Sequence, residues 1–144
     1  MHEVNLLAVL VAGIVPMIVG SLWYGPIFGK RWLALMEMTA EEIQEGFNPV
    51  KTYGVTLLLS LVTAFVLAQL IAEFAPADVS SVGGSGGSAM VGVHVALMAL
   101  VGFILPVANQ SIAFEKRKPG LAWLNVAYNG VALLAQALVI ALWR

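Results

Sequence analysis

The feature that most constrains this chain is a nearly uninterrupted apolar run over residues 5–22. A helix of about 20 apolar residues is roughly 30 Å long, which matches the hydrocarbon core of a bilayer. The aromatic pair Trp23 and Tyr24 ends the run, and the basic residues Lys30 and Arg31 follow. Trp and Tyr favour the headgroup region, and Lys and Arg favour the cytoplasmic side. The run therefore predicts a membrane helix with these four residues as its interfacial anchor.

Three more apolar segments extend this pattern over the rest of the chain. We expect spans at about residues 5–28, 53–74, 89–114 and 121–143. Of the 144 residues, 60% are hydrophobic and 10% are charged, whereas a soluble domain carries about 25% charged residues. We therefore predict an all-α fold, an integral membrane four-helix bundle that forms a single transmembrane domain over residues 1–144. The net charge of −1 gives no reason to expect a nucleic-acid partner.

A short helix is predicted at the membrane interface after the first span. Thr39 is followed three residues later by Glu42, which is a capping-box pattern, and Asn48-Pro49 is a stop signal. These signals predict one or two helical turns. The acidic residues of this segment form either a cation site or, as is usual for runs of charge, a solvated helix face. They are Glu37, Glu41, Glu42 and Glu45.

Residues 76–88 are rich in glycine and serine, a composition typical of a flexible loop. They include two consecutive Gly-Gly-Ser units, a pattern that is also typical of an engineered join. A phosphate-binding glycine loop is disfavoured, because no lysine follows the glycines and no strand precedes them. We expect a tether between the second and third spans.

Basic residues indicate how the spans are oriented. Two loops, residues 29–52 and 115–120, contain three basic residues each, out of seven in the chain. Lys and Arg accumulate on the cytoplasmic side of membrane proteins, so both loops are predicted to be cytoplasmic. Both termini and the glycine-rich loop are then outside. The prediction is a multi-pass protein of the cell (inner) membrane, in contact with the lipid bilayer.

Several polar side chains fall inside the predicted spans. On the fourth span, Asn129 and Gln136 follow Asn125 by four and eleven residues, which places all three on one helical stripe. A polar group in hydrocarbon costs free energy unless it has a partner, so such residues are expected to face inward. Either they hydrogen-bond the helices together, or they line a polar pathway through the bundle. The candidate interior residues are His94, Asn109, Asn125, Tyr128, Asn129 and Gln136.

No arrangement typical of catalysis is visible in the sequence. His94 is the only ionisable group predicted to lie mid-membrane, and its span has no carboxylate at helical spacing from it. The chain has two histidines, far apart, and no cysteine, so no spacing typical of metal ligands occurs. We therefore predict that the protein is not an enzyme and has no catalytic residues, metal site or cofactor.

Three stretches carry a resemblance to a known family. The sequence contains GSLWYGPIFGKRWLALM, then TAEEI, and later FEKRKPGLAWLNVAYN. In these stretches it resembles the bacterial membrane family called domain of unknown function 1761. The most specific parts are residues 23–30 and the junction at Phe114 and Glu115 that leads to Asn125 and Tyr128. The resemblance covers nearly the whole chain and implies about four spanning helices, with no established activity and no catalytic residues; the Gly-Ser tract departs from the family pattern.

Two functions remain open on the sequence alone. A permeation or transport module for a small solute is favoured by the polar side of the third and fourth spans and by Pro106, which should kink the third span. A structural or accessory subunit is favoured by the lack of mid-membrane charge and by a face of small residues on the first span. Such a subunit packs on itself, as a homo-oligomer, or on another membrane protein. The small residues are Ala12, Pro16 and Gly20. An enzyme that acts on a lipid ranks last.

Overall fold

The computed structural model describes residues 4–75 and 85–143, and the regular secondary structure within them is all helical. Two π-helical turns, Trp23–Ile27 and Leu100–Ile104, interrupt the regular α-helices. The α-helices are α1 (Leu6–Leu22), α2 (Gly29–Met36), α3 (Ala40–Gln44), α4 (Pro49–Phe74), α5 (Ser85–Ala99), α6 (Leu105–Ala113) and α7 (Pro119–Leu142).

Four helical stretches are long and apolar enough to cross a membrane, with mean hydropathies of 1.6 to 2.4. They are Leu6–Ile27, Pro49–Phe74, Ser88–Ala113 and Pro119–Leu142. The predicted all-α fold with four such helices is therefore confirmed, and it is compatible with a multi-pass membrane protein in contact with lipid. Residues 76–84 of the predicted glycine-rich loop lie outside the described residues, and α5 begins at Ser85 within that loop.

Small side chains let the spans approach each other closely. α7 packs against α1, α4 and α5, and α1 packs against α4. Gly92 of α5 lies so near α7 that an added Cβ atom would be 3.0 Å from the carbonyl oxygen of Ala137. Large side chains such as Leu58 and Val62 are exposed instead, because lipid solvates them as well as a protein core does. The fully or nearly fully buried alanines are Ala8, Ala12, Ala64, Ala68, Ala96, Ala137 and Ala141.

Local capping signals set where the short helices begin. The predicted capping box is confirmed, because Glu42 N–H donates to Thr39 Oγ1 (3.2 Å) and Thr39 N–H donates to Glu42 Oε2 (3.1 Å). α4 begins at Pro49, directly after Asn48, whose side chain accepts a hydrogen bond from Lys51 N–H (3.1 Å). These caps place α3 immediately before the second span.

The first span ends in a kink at Gly25 and Pro26. Phe28 N–H donates to the Trp23 carbonyl, five residues earlier, at 2.9 Å, which is a π-helical hydrogen bond. Gly25 has a φ of −109° and a ψ of −105°, outside helical geometry, and Pro26 has no N–H to continue the helical ladder. After the kink, α2 runs into contact with α7.

The third span is interrupted in a related way. The sequence predicts a kink at Pro106, and the π-helical turn Leu100–Ile104 lies immediately before α6, whose first turn contains Pro106. Ile104 and Leu105 keep helical dihedral angles, so the helix continues through this point and Pro106 removes one hydrogen bond from it. The proline thus lies where the π-helical turn changes to α6.

Candidate functional site

A cavity of about 660 Å³ lies at the end of the bundle that carries the short helices. Its walls come from α1 and the kink, from α2 and α3, from the start of α4, and from α7. We call it the aromatic cavity, because five of its lining residues have aromatic rings. The lining residues are Pro16, Met17, Gly20, Ser21, Tyr24, Gly25, Trp32, Ile43, Gln44, Phe47, Thr52, Tyr53, Thr56 and Tyr128.

Three aromatic side chains pack together on one wall of this cavity. The ring centroid of Tyr24 lies 5.3 Å from that of Trp32 and 5.3 Å from that of Tyr128. The Tyr24 hydroxyl donates to Asn125 Oδ1 at 2.6 Å, and the Tyr128 hydroxyl donates to the Pro16 carbonyl at 2.8 Å. The kink brings Tyr24 and α2 against α7, so residues far apart in sequence form one wall.

A second aromatic pair comes from the other side of the short helices. The rings of Phe47 and Tyr53 meet edge to face, with centroids 5.8 Å apart. Both side chains are exposed, as is Thr52 in the same lining, so the cavity is open to its surroundings at this end. None of its lining residues, as the described part of the chain defines them, is Asp, Glu, Lys, Arg or His. The lining is therefore aromatic, aliphatic and neutral-polar.

A buried polar cluster lies one helical turn beyond the cavity. Gln136 is 2% exposed, and its Nε2 donates to the Ala12 carbonyl (3.0 Å), Ser60 Oγ (3.3 Å) and the Ser60 carbonyl (3.4 Å). Pro16 has no N–H, so the Ala12 carbonyl four residues earlier has no helical donor, and Gln136 supplies one. Pro16 and Thr56 line the cavity, and Ala12 and Ser60 lie one turn further along the same helices. We call Gln136, Ser60 and the Ala12 carbonyl the Gln136 node; it lies deeper in the bundle than the cavity lining.

The structure places the α7 candidates within or beside these features. Tyr128 lines the cavity, and Asn125 accepts the hydrogen bond from Tyr24. Asn129 is half-buried, and its Nδ2 donates to the Asn125 carbonyl at 2.8 Å, one turn back along its own helix. Gln136 forms the node. These four side chains therefore join α7 to α1, to α4 and to their own helix.

The two candidates on the third span lie elsewhere. His94 is exposed, and its Nδ1 is 3.0 Å from the Met90 carbonyl of its own helix. Asn109 is also exposed and lines a separate groove of about 210 Å³ with Trp123. Neither side chain meets the α7 amides. The polar residues of the third span are spread around the helix, so its periodicity does not indicate which face turns inward.

The four residues predicted as an interfacial anchor have different surroundings. Lys30 and Arg31 are exposed, and Tyr24 is turned into the bundle. Trp23 stacks at 4.6 Å on Phe28, and its buried indole N–H has no hydrogen-bond acceptor among the described residues.

Sequence reasoning missed three contributors to the site. Trp32 lies in the cavity wall and Ser60 accepts a hydrogen bond from Gln136, and neither was among the candidate residues. The third is the Ala12 carbonyl. A proline inside a predicted span was the available signal, because it always leaves a carbonyl that needs another donor.

One ion pair ties the short helices to the loop before α7. Lys118 Nζ lies 2.5 Å from Glu37 Oε1, and this hydrogen bond, together with the positive charge, lowers the pKa of the Glu37 carboxyl group.

Another acidic residue of this segment, Glu42, is engaged in the capping box. Within residues 4–75 and 85–143, no group of three or more His, Cys, Asp or Glu side chains is arranged to hold a metal ion.

Taken together, the fold and the cavity define an all-α membrane protein with four spanning helices and an aromatic cavity at one end. Residues 7–141 match the family described as Protein of unknown function (DUF1761), and the chain therefore belongs to that family. This match confirms the resemblance seen in the sequence. Neither a search of curated proteins nor a search of solved structures returns a match.

Proposed function

We propose that this protein is a transport module that binds a small amphiphilic molecule in the aromatic cavity and passes it along the bundle. The observation that carries the proposal is a cavity that is open at the end with the short helices, with the buried Gln136 node one helical turn beyond its lining. Its volume of about 660 Å³ falls within the usual range of small-molecule sites, about 300–1,000 Å³. A site open to one side and closed to the other is what one end state of alternating access requires.

The cavity lies at the end of the bundle that carries both basic loops. The positive-inside rule places that end in the cytoplasm, and we retain this orientation as part of the proposal. A molecule would then enter from the cytoplasm or from the inner leaflet. To leave on the other side, it has to pass the Gln136 node.

Two features of the first span favour a change of helix conformation near the Gln136 node. Pro16 removes one helical hydrogen bond, and the kink at Gly25 and Pro26 removes more, so both ends of the segment that lines the cavity are weakened. Hydrogen bonds between membrane helices contribute on average about 0.6 kcal/mol each. Opening the node is therefore within reach of thermal motion.

Thiol labelling tests this proposal cleanly, because the chain contains no cysteine. Ser60→Cys, Thr52→Cys and Thr63→Cys are made singly, reconstituted in liposomes and treated with a membrane-impermeant thiol reagent from either side. Thr52→Cys, in the cavity, is expected to react from the cavity side only. Ser60→Cys is expected to react slowly from both sides, because alternating access exposes the node to each in turn.

Thr63→Cys is the matched control. Thr63 lies three residues from Ser60 on the exposed face of α4, so it has a similar depth in the membrane but contacts lipid. It should react from neither side. Reaction of Ser60→Cys from the cavity side alone, in folded protein, would contradict transport.

A structural or accessory role is the second candidate, and one observation favours it. In an 18-residue apolar stretch of the third span only 17% is buried within the chain, against 44% in the fourth. His94 and Asn109 lie on that exposed span, and a polar side chain that faces lipid costs free energy unless a neighbour satisfies it. Crosslinking in native membranes from His94→Cys should capture another copy or another membrane protein. Recovery of the uncrosslinked single chain alone would count against this role.

A further inference from the structure

We propose that the aromatic cavity is selective for organic cations, namely molecules that carry a quaternary ammonium or a similarly diffuse positive charge on an apolar body. This inference rests on the proposed function, because it names the class of molecule that the same cavity takes. It is carried by the chemistry of the lining residues.

The first observation is the concentration of aromatic rings. Five rings line a single cavity, in a cluster of three and a pair, and they come from the kink, α2, α4, α7 and the segment between α3 and α4. The face of an aromatic ring is electronegative and attracts a cation placed over it, most strongly for Trp. Rings from several elements around one space are the arrangement by which proteins recognise quaternary ammonium groups. The rings are those of Tyr24, Trp32, Phe47, Tyr53 and Tyr128.

The second observation is the direction of the hydroxyl groups. Six lining residues carry a hydroxyl, and four of them donate their only proton to a protein oxygen. Ser21 donates to the Met17 carbonyl (2.8 Å) and Thr56 to the Thr52 carbonyl (2.7 Å). Tyr24 and Tyr128 donate to Asn125 and Pro16 in the same way. At these four positions a bound molecule meets oxygen lone pairs and ring faces, both of which are electronegative.

The third observation disfavours other charged ligands. Charge-assisted hydrogen bonds from Lys, Arg or His hold anions most strongly, and the described lining has none of these residues; its side-chain N–H groups belong to two neutral residues, Gln44 and Trp32. A small hydrated metal ion requires several carboxylate or carbonyl oxygens, and no carboxylate lines it either. An organic cation is weakly hydrated, so it loses little by leaving water for a neutral aromatic lining.

The test compares two probes that differ in charge and hardly in shape. (3-Hydroxyphenyl)trimethylammonium carries a positive nitrogen where 3-tert-butylphenol carries a neutral carbon. Binding of each to the full chain is measured by calorimetry in maltoside micelles, which contain no choline group, with empty micelles as the blank. The ammonium compound is expected to bind about tenfold more tightly.

Three variants tie the result to the cavity. Trp32→Leu is expected to reduce ammonium affinity about tenfold, whereas Trp32→Phe keeps a ring and loses less. Trp123→Leu is the matched control, because Trp123 lies outside the cavity and is exposed. It should leave affinity unchanged. Circular dichroism and gel filtration verify that each variant is folded.

The outcomes separate this inference from the proposed function. If the neutral phenol binds as tightly as the ammonium compound and Trp32→Leu weakens both, the cavity binds ligands but the cation selectivity is wrong. Equal losses in Trp32→Leu and Trp32→Phe would likewise overturn the role of the ring. If neither probe binds, both the inference and ligand binding in the cavity fail.

A further arm identifies the source of the cation. Short-chain phosphatidylcholine and phosphatidylglycerol are each added as competitors of the ammonium probe. Displacement by phosphatidylcholine alone indicates a choline headgroup that enters from the membrane. Displacement by neither, with the probe still bound, indicates a free organic cation from solution. Displacement by both lipids equally would show that the acyl chains compete, which contradicts recognition by charge.

Discussion

The two ends of the bundle are built from the same spans and differ in almost every physical respect. At the end with the short helices, aromatic side chains and a kink hold α1, α4 and α7 apart around a cavity of about 660 Å³. At the other end, glycine and alanine bring α5 and α7 into backbone contact, as at Gly92 and Ala137. The comparison teaches that side-chain size, together with one kinked helix, makes one end of a bundle spacious and the other dense.

The largest loss of stability is expected from a bulky residue at the end where α5 and α7 pack closely. Gly92→Leu would force a side chain into a space where even a Cβ atom is 3.0 Å from the Ala137 carbonyl oxygen. Overpacking of this kind costs about 2 to 3 kcal/mol, and we expect that loss in the free energy of unfolding measured by denaturant titration in micelles. Gly54→Leu is the control near the cavity end, where an added Cβ would have no neighbour within 4 Å. Equal losses in the two variants would mean that the ends do not differ in packing.

A smaller loss of stability is expected at the Gln136 node, which lies between the two ends of the bundle. Gln136→Leu removes the donor that satisfies the Ala12 carbonyl, and we expect the free energy of unfolding to fall by about 1 kcal/mol. Gln69→Leu, which removes a half-buried amide of α4 outside the node, should have little effect in the same titration. A Gln136→Leu variant more stable than the native chain would show that the node costs more than it contributes.

The smallest change in stability is expected from the ion pair of Glu37 and Lys118, on the surface at the cavity end. The pKa of the Glu37 carboxyl group is lowered from its usual 4.5 by the Lys118 ammonium, so the folded chain binds this proton less readily than the unfolded chain. The contribution to stability is therefore complete above pH 4.5 and is lost as the pH falls through the lowered value. Glu37→Gln should lower the melting temperature slightly at pH 7 and leave it unchanged at low pH. Glu41→Gln removes an exposed carboxylate outside this pair, and a similar pH-dependent difference there would refute the assignment to Glu37.

Much of the fold follows from local patterns, because a bilayer selects for length and hydropathy. The four spanning helices and the capping box at Thr39 and Glu42 depend on residues close together in the sequence. The cavity does not, because it forms where Tyr24, Trp32 and Tyr128 meet. That meeting depends on the direction in which the kink at Gly25 turns the chain and on the order of the helices around the bundle, and neither is encoded locally.

The candidate polar residues illustrate the same limit. On α7 the amides recur at helical spacing against an apolar background, so the sequence offers a direction for them to face. On the third span His94 is far from Asn109, and Asn109 is followed by Gln110 and Ser111 on other sides of the helix, so no single face is distinguished. The acceptor of Gln136 was within reach of sequence reasoning, because Pro16 had to leave the Ala12 carbonyl without its helical donor.

The Gln136 node has one further consequence, which comes from counting protons. The side-chain NH₂ group of Gln136 has two hydrogens, and three acceptors lie at 3.0 to 3.4 Å from its nitrogen. One acceptor belongs to α1 and two belong to α4. The two hydrogens can therefore be shared between α1 and α4, so a single side chain of α7 fixes the spacing of both helices. Loss of this one amide would release two helices at once rather than one.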